Sequence, residues 1–315
     1  MKRIVVITIK KLLLFNTSSD VAAFELAELA KNDGVVIVED DWLFSENKCA
    51  DAVVLWEFES LRTEKAYNIL IKMADKIPVI FQLGDWQFVF DKNTKSKYSS
   101  KILELAKKCA SVPCRYISYA KEHLPELADK MWFLPHSFGS IDRCLKSDKE
   151  ERINRVMVGG QVGHNFYPER IEAKKIARAN SEFMVSIWHP TDREYGISGK
   201  KCFGGEYSLV LGSYIASVAT PSKYGFLLRK YFEIPAVNTL LLAFYCKDLE
   251  EQTELRPNQH FLPISNDNLI QTAIDVCSRP KDYYEMRCSA RDLVRQNYSS
   301  EKTMKLMMEK IMEVA

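Results

Sequence analysis

Residues 156–170 read VMVGGQVGHNFYPER, and the fold turns on this stretch. A short apolar run ends in Gly159-Gly160, a polar loop follows, and Pro168 opens a helix predicted over about 169–180. Proline suits a helix's first turn, where the N–H it lacks would have no partner. A strand feeding a helix through a glycine loop is the unit of a parallel α/β sheet. The same rhythm extends both ways. Upstream, IVVITI at 4–9 is a β-branched run of the kind buried on both faces of such a sheet. Residues 21–31 (VAAFELAELAK) are an amphipathic helix that Asn32-Asp33-Gly34 stops. Strands are predicted at 35–38, 52–56 and 78–83, with short closing strands at 114–118 and 131–134, and helices at 64–75 and 99–109. Downstream, strands are predicted at 183–188, 214–219 and 239–244. Helices are predicted at 225–232, 268–278, 282–296 and 301–314; residues 209–211 are a further apolar run. Between the halves, 140–155 (SIDRCLKSDKEERINR) is polar and charged and reads as a linker. The implied architecture is α/β: two doubly wound halves, 1–139 and 156–300, facing across a cleft.

Composition agrees and removes several classes. The 315 residues are about twice a modal domain of ~150. Apolar residues make up 47% and charged residues 27%, enough for real cores. Lys plus Arg is 44 against 42 Asp plus Glu, so the net of +2 argues against nucleic acid as a partner. No window reaches the ~18 apolar residues of a membrane-spanning helix. Lys10 and Lys11 interrupt the apolar start before it becomes a secretory segment. Eight cysteines lie scattered with no CxxC pair, which signals neither a zinc cage nor a redox dithiol. Reduced thiols and a cytoplasmic location are expected.

Open α/β sheets bind ligands at the carboxyl ends of their strands, so the strand-to-helix loops carry the candidates. Gly159 and Gly160 would let backbone N–H groups approach a ligand, and a helix N-terminus favours anions. Arg170, in that first turn, would add a charge-assisted contact to a phosphate. The GxGxxG spacing of a dinucleotide loop is absent, so a plain turn with a surface arginine fits the spacing equally. A second constellation is 222–244, SKYGFLLRKYFEIPAVNTLLLAF. A polar loop precedes a helix that Pro235 is expected to end. Lys230 and Glu233 share one helical face, as a phosphate cation with a ribose carboxylate, or as a bland i,i+3 ion pair.

The series Tyr167-Pro168-x-Arg170, then KYFEIPAVNTLLL at 230–242, then a closing region at 287–298, resembles the group-1 glycosyltransferases. It is closest to their spore-maturation-type branch, whose pattern runs Arg/Lys-x-Phe-Glu-x-x-Ala-x-Gly-Thr. The likeness covers about 156–300 and is topological over 1–140. It implies the GT-B fold, two Rossmann-like domains with acceptor on 1–139 and nucleotide-sugar on 156–300. It also implies a terminal helix, 301–315, crossing back to the first domain. By the same resemblance Arg170 and Lys230 hold the diphosphate and Glu233 the ribose hydroxyls. Gly159 and Gly160 lie under the phosphates or the acceptor, Tyr207 faces the base, and Ser222, Lys223, Tyr224 and Thr239 complete the nucleotide-sugar set. Two positions depart from the pattern. Gly225 stands where an earlier sugar-contacting glutamate is usual, and Asn238 stands where a glycine is frequent.

Further candidates follow other strands. Asp85, in Leu83-Gly84-Asp85-Trp86, would orient or deprotonate an acceptor hydroxyl, or cap a turn. His136, after the last strand of the first half, is a second catalytic candidate or a structural turn residue. His164 sits in the glycine loop, and His189 follows a strand and would border the base pocket. No Asp-x-Asp motif or ligand-spaced His/Cys cluster is present, so neither metal nor cofactor is expected. The leading function is glycosyl transfer from a nucleotide diphosphate donor to a glycan or lipid-linked hydroxyl acceptor, with peripheral membrane contact allowed. A nucleotide-sugar epimerase, and a non-catalytic nucleotide- or glycan-binding accessory protein, are the competing readings.

Overall fold

The computed structural model describes residues 2–8, 20–45, 49–56, 63–83, 99–145, 151–162, 165–187 and 204–315. They form two compact units. The first combines the N-terminal strand with Ala22–Pro135 and Thr303–Ala315; the second is built on His136–Lys302.

In the first unit β1 (Ile4–Thr8), α1 (Asp20–Ala30), β2 (Val35–Glu39), β3 (Ala52–Leu55), α2 (Glu64–Ala74) and β4 (Val79–Phe81) alternate. The strands pair in parallel in the order β2-β1-β3-β4. All residues of β1 and β3 are buried, which explains why they read as unbroken apolar runs. After α3 (Ser99–Lys108), β5 (Val112–Cys114) and, beyond α4 (Ile117–His123), β6 (Met131–Phe133) form a parallel pair. Bridges Ile80–Ser111 and Leu83–Cys114 join β5 to the edge of β4. The strand predicted at 114–118 is therefore displaced: Cys114 ends β5, and Ile117 begins α4. Arg115 leaves the sheet between them, because its guanidinium donates to the buried Glu25 carboxylate at 2.7 Å and to the Pro135 carbonyl at 3.2 Å.

The second unit repeats the plan with α5 (Ile141–Leu145), β7 (Ile153–Gly159), α6 (Pro168–Ala179), β8 (Met184–Ile187), α7 (Gly204–Leu211), β9 (Tyr214–Ala219), α8 (Lys230–Ala236) and β10 (Leu240–Phe244). It continues with α9 (Lys247–Gln252), β11 (Leu262–Ile264), α10 (Leu269–Ser278) and α11 (Tyr284–Asn297). The order is β11-β10-β9-β7-β8, all parallel. Its core packs Val156, Val158, Ala216, Val218, Leu240 and Leu242 against Ala173 and Ala177 of α6 and Leu269, Ala273 and Val276 of α10. The predicted linker 140–155 is partly structured: it contains α5, with Cys144 buried, and the start of β7. The last helix, α12 (Ser300–Val314), begins in the second unit. Its Met304, Met307 and Ile311 lie in the first unit's core with Ile4, Val6, Val54 and Trp56.

One helix sits later than its prediction. Residues 225–232 were expected to be helical; the helix is α8, starting at Lys230 and containing Pro235. Gly225 has φ +73°, and the Ser222 hydroxyl accepts the N–H groups of Tyr224 and Phe226, so 222–226 is a turn. What ends α8 is Asn238, at φ +58°. Its N–H bonds the Pro235 carbonyl at 2.8 Å, and that of Thr239 bonds the Ile234 carbonyl at 3.2 Å, the Schellman pattern. This is the position where the resemblance has glycine. Asparagine is a side chain that tolerates a left-handed backbone, so the departure is conservative in conformation.

Candidate functional site

Strands β7 and β9 are neighbours in space, yet β7 continues through α6 to β8 on one side and β9 through α8 to β10 on the other. At such a reversal the strand-end loops part and leave a crevice at the carboxyl edge. Gly159 and Gly160 form one lip. A Cβ on Gly159 would lie 2.7 Å from Met157 Cε and 3.3 Å from Tyr207 Oη. A Cβ on Gly160 would lie 3.0 Å from both Arg170 Nη1 and Lys230 Cε, and its φ of +111° is one that side-chain-bearing residues rarely adopt. Only glycine lets the backbone come this close to the two cations.

Arg170 is 5% exposed. Its Nε donates to Thr220 Oγ1 at 3.1 Å, its Nη1 to the Gln161 carbonyl at 3.0 Å, and its guanidinium lies 4.0 Å over the Tyr167 ring. Among the described residues it makes no ion pair. Burial lowers its pKa, with Tyr167, Tyr207, Tyr231 and Glu169 opposing that shift. An arginine nevertheless keeps its proton, so a fixed positive charge is held in low dielectric without an ion pair among the described residues. Lys174, one helical turn on, is buried too. Its Nζ donates to the Ile187 carbonyl at 2.9 Å, and its pKa is pushed down to about 8 by burial, then by Arg170 and Arg178. Lys230, at the start of α8, donates to the Tyr207 hydroxyl, with its Nζ 4.5 Å over that ring. The arrangement is a small cationic cluster beside glycine backbone and two tyrosines, suited to an anion with several acceptor oxygens.

The structure thus brings Gly159, Gly160, Arg170, Tyr207 and Lys230 together. Lys223 and Tyr224 stand on the loop after β9. The Lys223 N–H donates to the Phe166 carbonyl at 2.7 Å, and its Nζ lies 5.1 Å over Phe166 and 4.8 Å over Tyr224, tying this loop to the one after β7. Ser222 is buried as the cap of its turn. Glu233 is half-buried, one turn after Lys230, and makes no side-chain hydrogen bond among the described residues. Thr239 does not belong to the group. It precedes β10, at the amino end of the sheet; its hydroxyl donates to the Leu211 carbonyl at 3.0 Å and accepts from Arg152 at 3.3 Å. Its chemistry is spent on closing the opposite edge. His136 is half-buried where the second unit begins. Asp85, His164 and His189 lie outside the described residues.

Sequence reasoning passed over Thr220 and Lys174. Lys174 carried a legible signal, an i,i+4 spacing from Arg170 that puts both cations on one face of α6. Thr220 carried none beyond being the first residue after a strand.

No family model matches the chain, and no curated protein matches its sequence. In fold the chain is similar to the sucrose-phosphate synthase of Thermosynechococcus elongatus, with TM-score 0.68, 10% identity and 99% of each chain covered. It is similar also to HepE of Anabaena solved in complex with UDP-glucose, with TM-score 0.66, 9% identity and 99% of this chain and 100% of that one covered. A UDP-N-acetylglucosamine 2-epimerase is similar at TM-score 0.51 and 12% identity, over 99% of this chain and 96% of that one. Two Rossmann-like domains of the GT-B kind are the fold these likenesses share with the parallel sheets described above.

Proposed function

We propose that the chain is a glycosyltransferase that moves a sugar from a nucleoside diphosphate to a hydroxyl acceptor. One observation carries the reading: the buried Arg170, without an ion pair among the described residues, stands with Lys230 over the Gly159-Gly160 backbone at the β7–β9 reversal. A leaving diphosphate gains negative charge as the glycosidic bond breaks. Cations already held in place, Arg170 buried and Lys230 half-buried, stabilise that charge with little reorganisation. With Lys174 behind them, these side chains supply the charge a divalent metal would supply, so we propose metal-independent transfer. Glu233, one turn from Lys230, accepts from the ribose hydroxyls, an ionised carboxylate matching two O–H donors. The carrier is taken as uridine diphosphate, the nucleotide in the HepE complex. Within the group-1 enzymes the spore-maturation-type branch fits best, since Tyr167, Pro168, Arg170 and 230–242 follow its pattern and Asn238 keeps the backbone its glycine would adopt. The division at 1–139, 140–155, 156–300 and 301–315 is kept as the functional one, the acceptor, glycan or lipid-linked, falling to the first domain and His136 with Asp85 to the reacting hydroxyl. No helix among the described residues is long and apolar enough to cross a membrane. The seven cysteines described are free thiols, which supports a reducing cytoplasm.

Titration calorimetry with UDP, 2′-deoxy-UDP and UMP tests this reading. Wild type is expected to prefer UDP to both. Arg170→Ala and Lys230→Ala should each cost ~1.5–3 kcal/mol in UDP affinity, the range for hydrogen bonds to charged groups. Glu233→Gln should erase the preference for ribose. Unchanged UDP affinity in both cation variants would remove the site, and transfer activity abolished by a chelator would remove the metal-free mechanism.

A further inference from the structure

The two cations come from different strands. Arg170 belongs to the stretch after β7, and Lys230 follows the loop after β9. Three contacts fix the Arg170 guanidinium, and two of them come from its own stretch. The Gln161 carbonyl accepts from Nη1 at 3.0 Å, and the Tyr167 ring lies under the guanidinium at 4.0 Å. The third contact comes from the neighbouring strand. Thr220 is the first residue after β9, and its hydroxyl accepts from Nε at 3.1 Å. Thr220 is 1% exposed and Arg170 5%, so the bond is shielded from water. An arginine has five N–H donors. Nε and one N–H of Nη1 are engaged; among the described residues the rest have no hydrogen-bond partner and form the edge on offer to an anion. Nη1 stands 3.0 Å from the place a Gly160 Cβ would take, and Lys230 Cε stands 3.0 Å from the same point. Gln161 and Tyr167 shift with Arg170, because they share its stretch. Of the three contacts, Thr220 alone ties it to the strand that leads on to Lys230.

We infer that Thr220 is a positioning residue of the nucleotide site, its hydroxyl setting the Arg170 guanidinium against Lys230 so that both cations meet one diphosphate. This rests on the reading that Arg170 and Lys230 hold the diphosphate. Thr220 lies outside both stretches that carry the resemblance, 167–170 and 230–242. It is too deeply buried to touch an anion itself, so it acts through Arg170. A guanidinium already oriented loses less freedom when the anion binds, and that is the source of the affinity.

Titration calorimetry of the full chain with UDP tests the assignment. Thr220→Val keeps the shape and removes the acceptor, and UDP affinity is expected to fall about tenfold, the lower end for a hydrogen bond to a charged group. Thr220→Ser returns the oxygen and should return the affinity. In an Arg170→Ala background Thr220→Val should cost nothing further, because the group it positions is gone. Thr220→Cys, near in size and with only a weak sulfur acceptor, should also lose affinity, and it serves as the reporter if the valine variant melts early. An equal loss with and without Arg170 would make Thr220 a support for the fold and overturn the inference. So would an unchanged affinity in the reporting variant, or a serine variant as weak as valine. If Arg170→Ala still loses UDP affinity in those cases, the diphosphate reading stands and only the role of Thr220 falls. A wild type that binds no UDP overturns the diphosphate reading first and this assignment with it.

Discussion

Gly160 holds a φ of +111° with two cationic side chains at van der Waals distance from its hydrogens. A Gly160→Ala change would meet both obstacles together, backbone strain and a Cβ 3.0 Å from Arg170 and Lys230. Backbone strain of this kind costs of order 1–3 kcal/mol, and that loss is expected in urea unfolding. Nucleotide affinity should fall in the same variant, since the cations must move to make room. Gly225→Ala is the contrast. Its φ of +73° still carries a strain cost, but nothing stands within 4 Å, so nucleotide affinity should be retained. At this scale the sequence was partly legible. The glycine pair and Arg170 stood out because a strand, a loop and a proline framed them. Thr220, the partner of the Arg170 Nε, did not, because it lies fifty positions away along the chain.

Elements were legible where burial is uniform and obscure where a single backbone angle decides. The strands β1, β3 and β10 are buried at every residue, so their apolar runs needed no tertiary knowledge. The bounds of α8 differ from the prediction because a serine-capped turn at 222–226 delays its start, and Asn238 rather than Pro235 sets its stop. Short elements, α9 of six residues and β11 of three, carry too little periodicity to be read at all. The cap of α8 yields a test of its own. Asn238→Gly should leave stability unchanged or raise it slightly, whereas Asn238→Ala should cost about 1–2 kcal/mol for a left-handed residue with an ordinary side chain. Equal melting temperatures for the two variants would show that the cap does not end the helix. Arg295 reinforces this end, donating from α11 to the Ala236 carbonyl at 2.8 Å.

For the whole molecule, the buried cations make stability depend on pH. Lys174 has a folded pKa of about 8 against an ordinary value of 10.5, so between those values the unfolded chain binds more protons. Stability contributed by this group therefore rises as pH climbs from about 8 towards 10.5. Cys109 and Cys246 work the other way. Both thiols are pushed up to about 12 by burial, so the unfolded chain releases their protons first and stability falls above pH 9. The difference between wild type and Lys174→Met isolates the lysine. It is expected to move in favour of wild type over that range, measured by urea unfolding at fixed ionic strength. A flat difference would mean that Lys174 is as well solvated as a surface lysine.

The course of α12 has a consequence for how the protein is made. Ile4, Val6, Val54 and Trp56 emerge from the ribosome early, yet Met304, Met307 and Ile311, which cover them, are translated after the whole of 136–302. At ~5–20 residues per second, the gap between residue 135 and residue 303 amounts to roughly 8–34 seconds. Throughout it the first sheet waits with an apolar face bare while the second unit, whose own core closes within 136–302, is free to fold. Nascent chains stalled before residue 303 should therefore recruit chaperones to their N-terminal part, and release of the last helix should end that association.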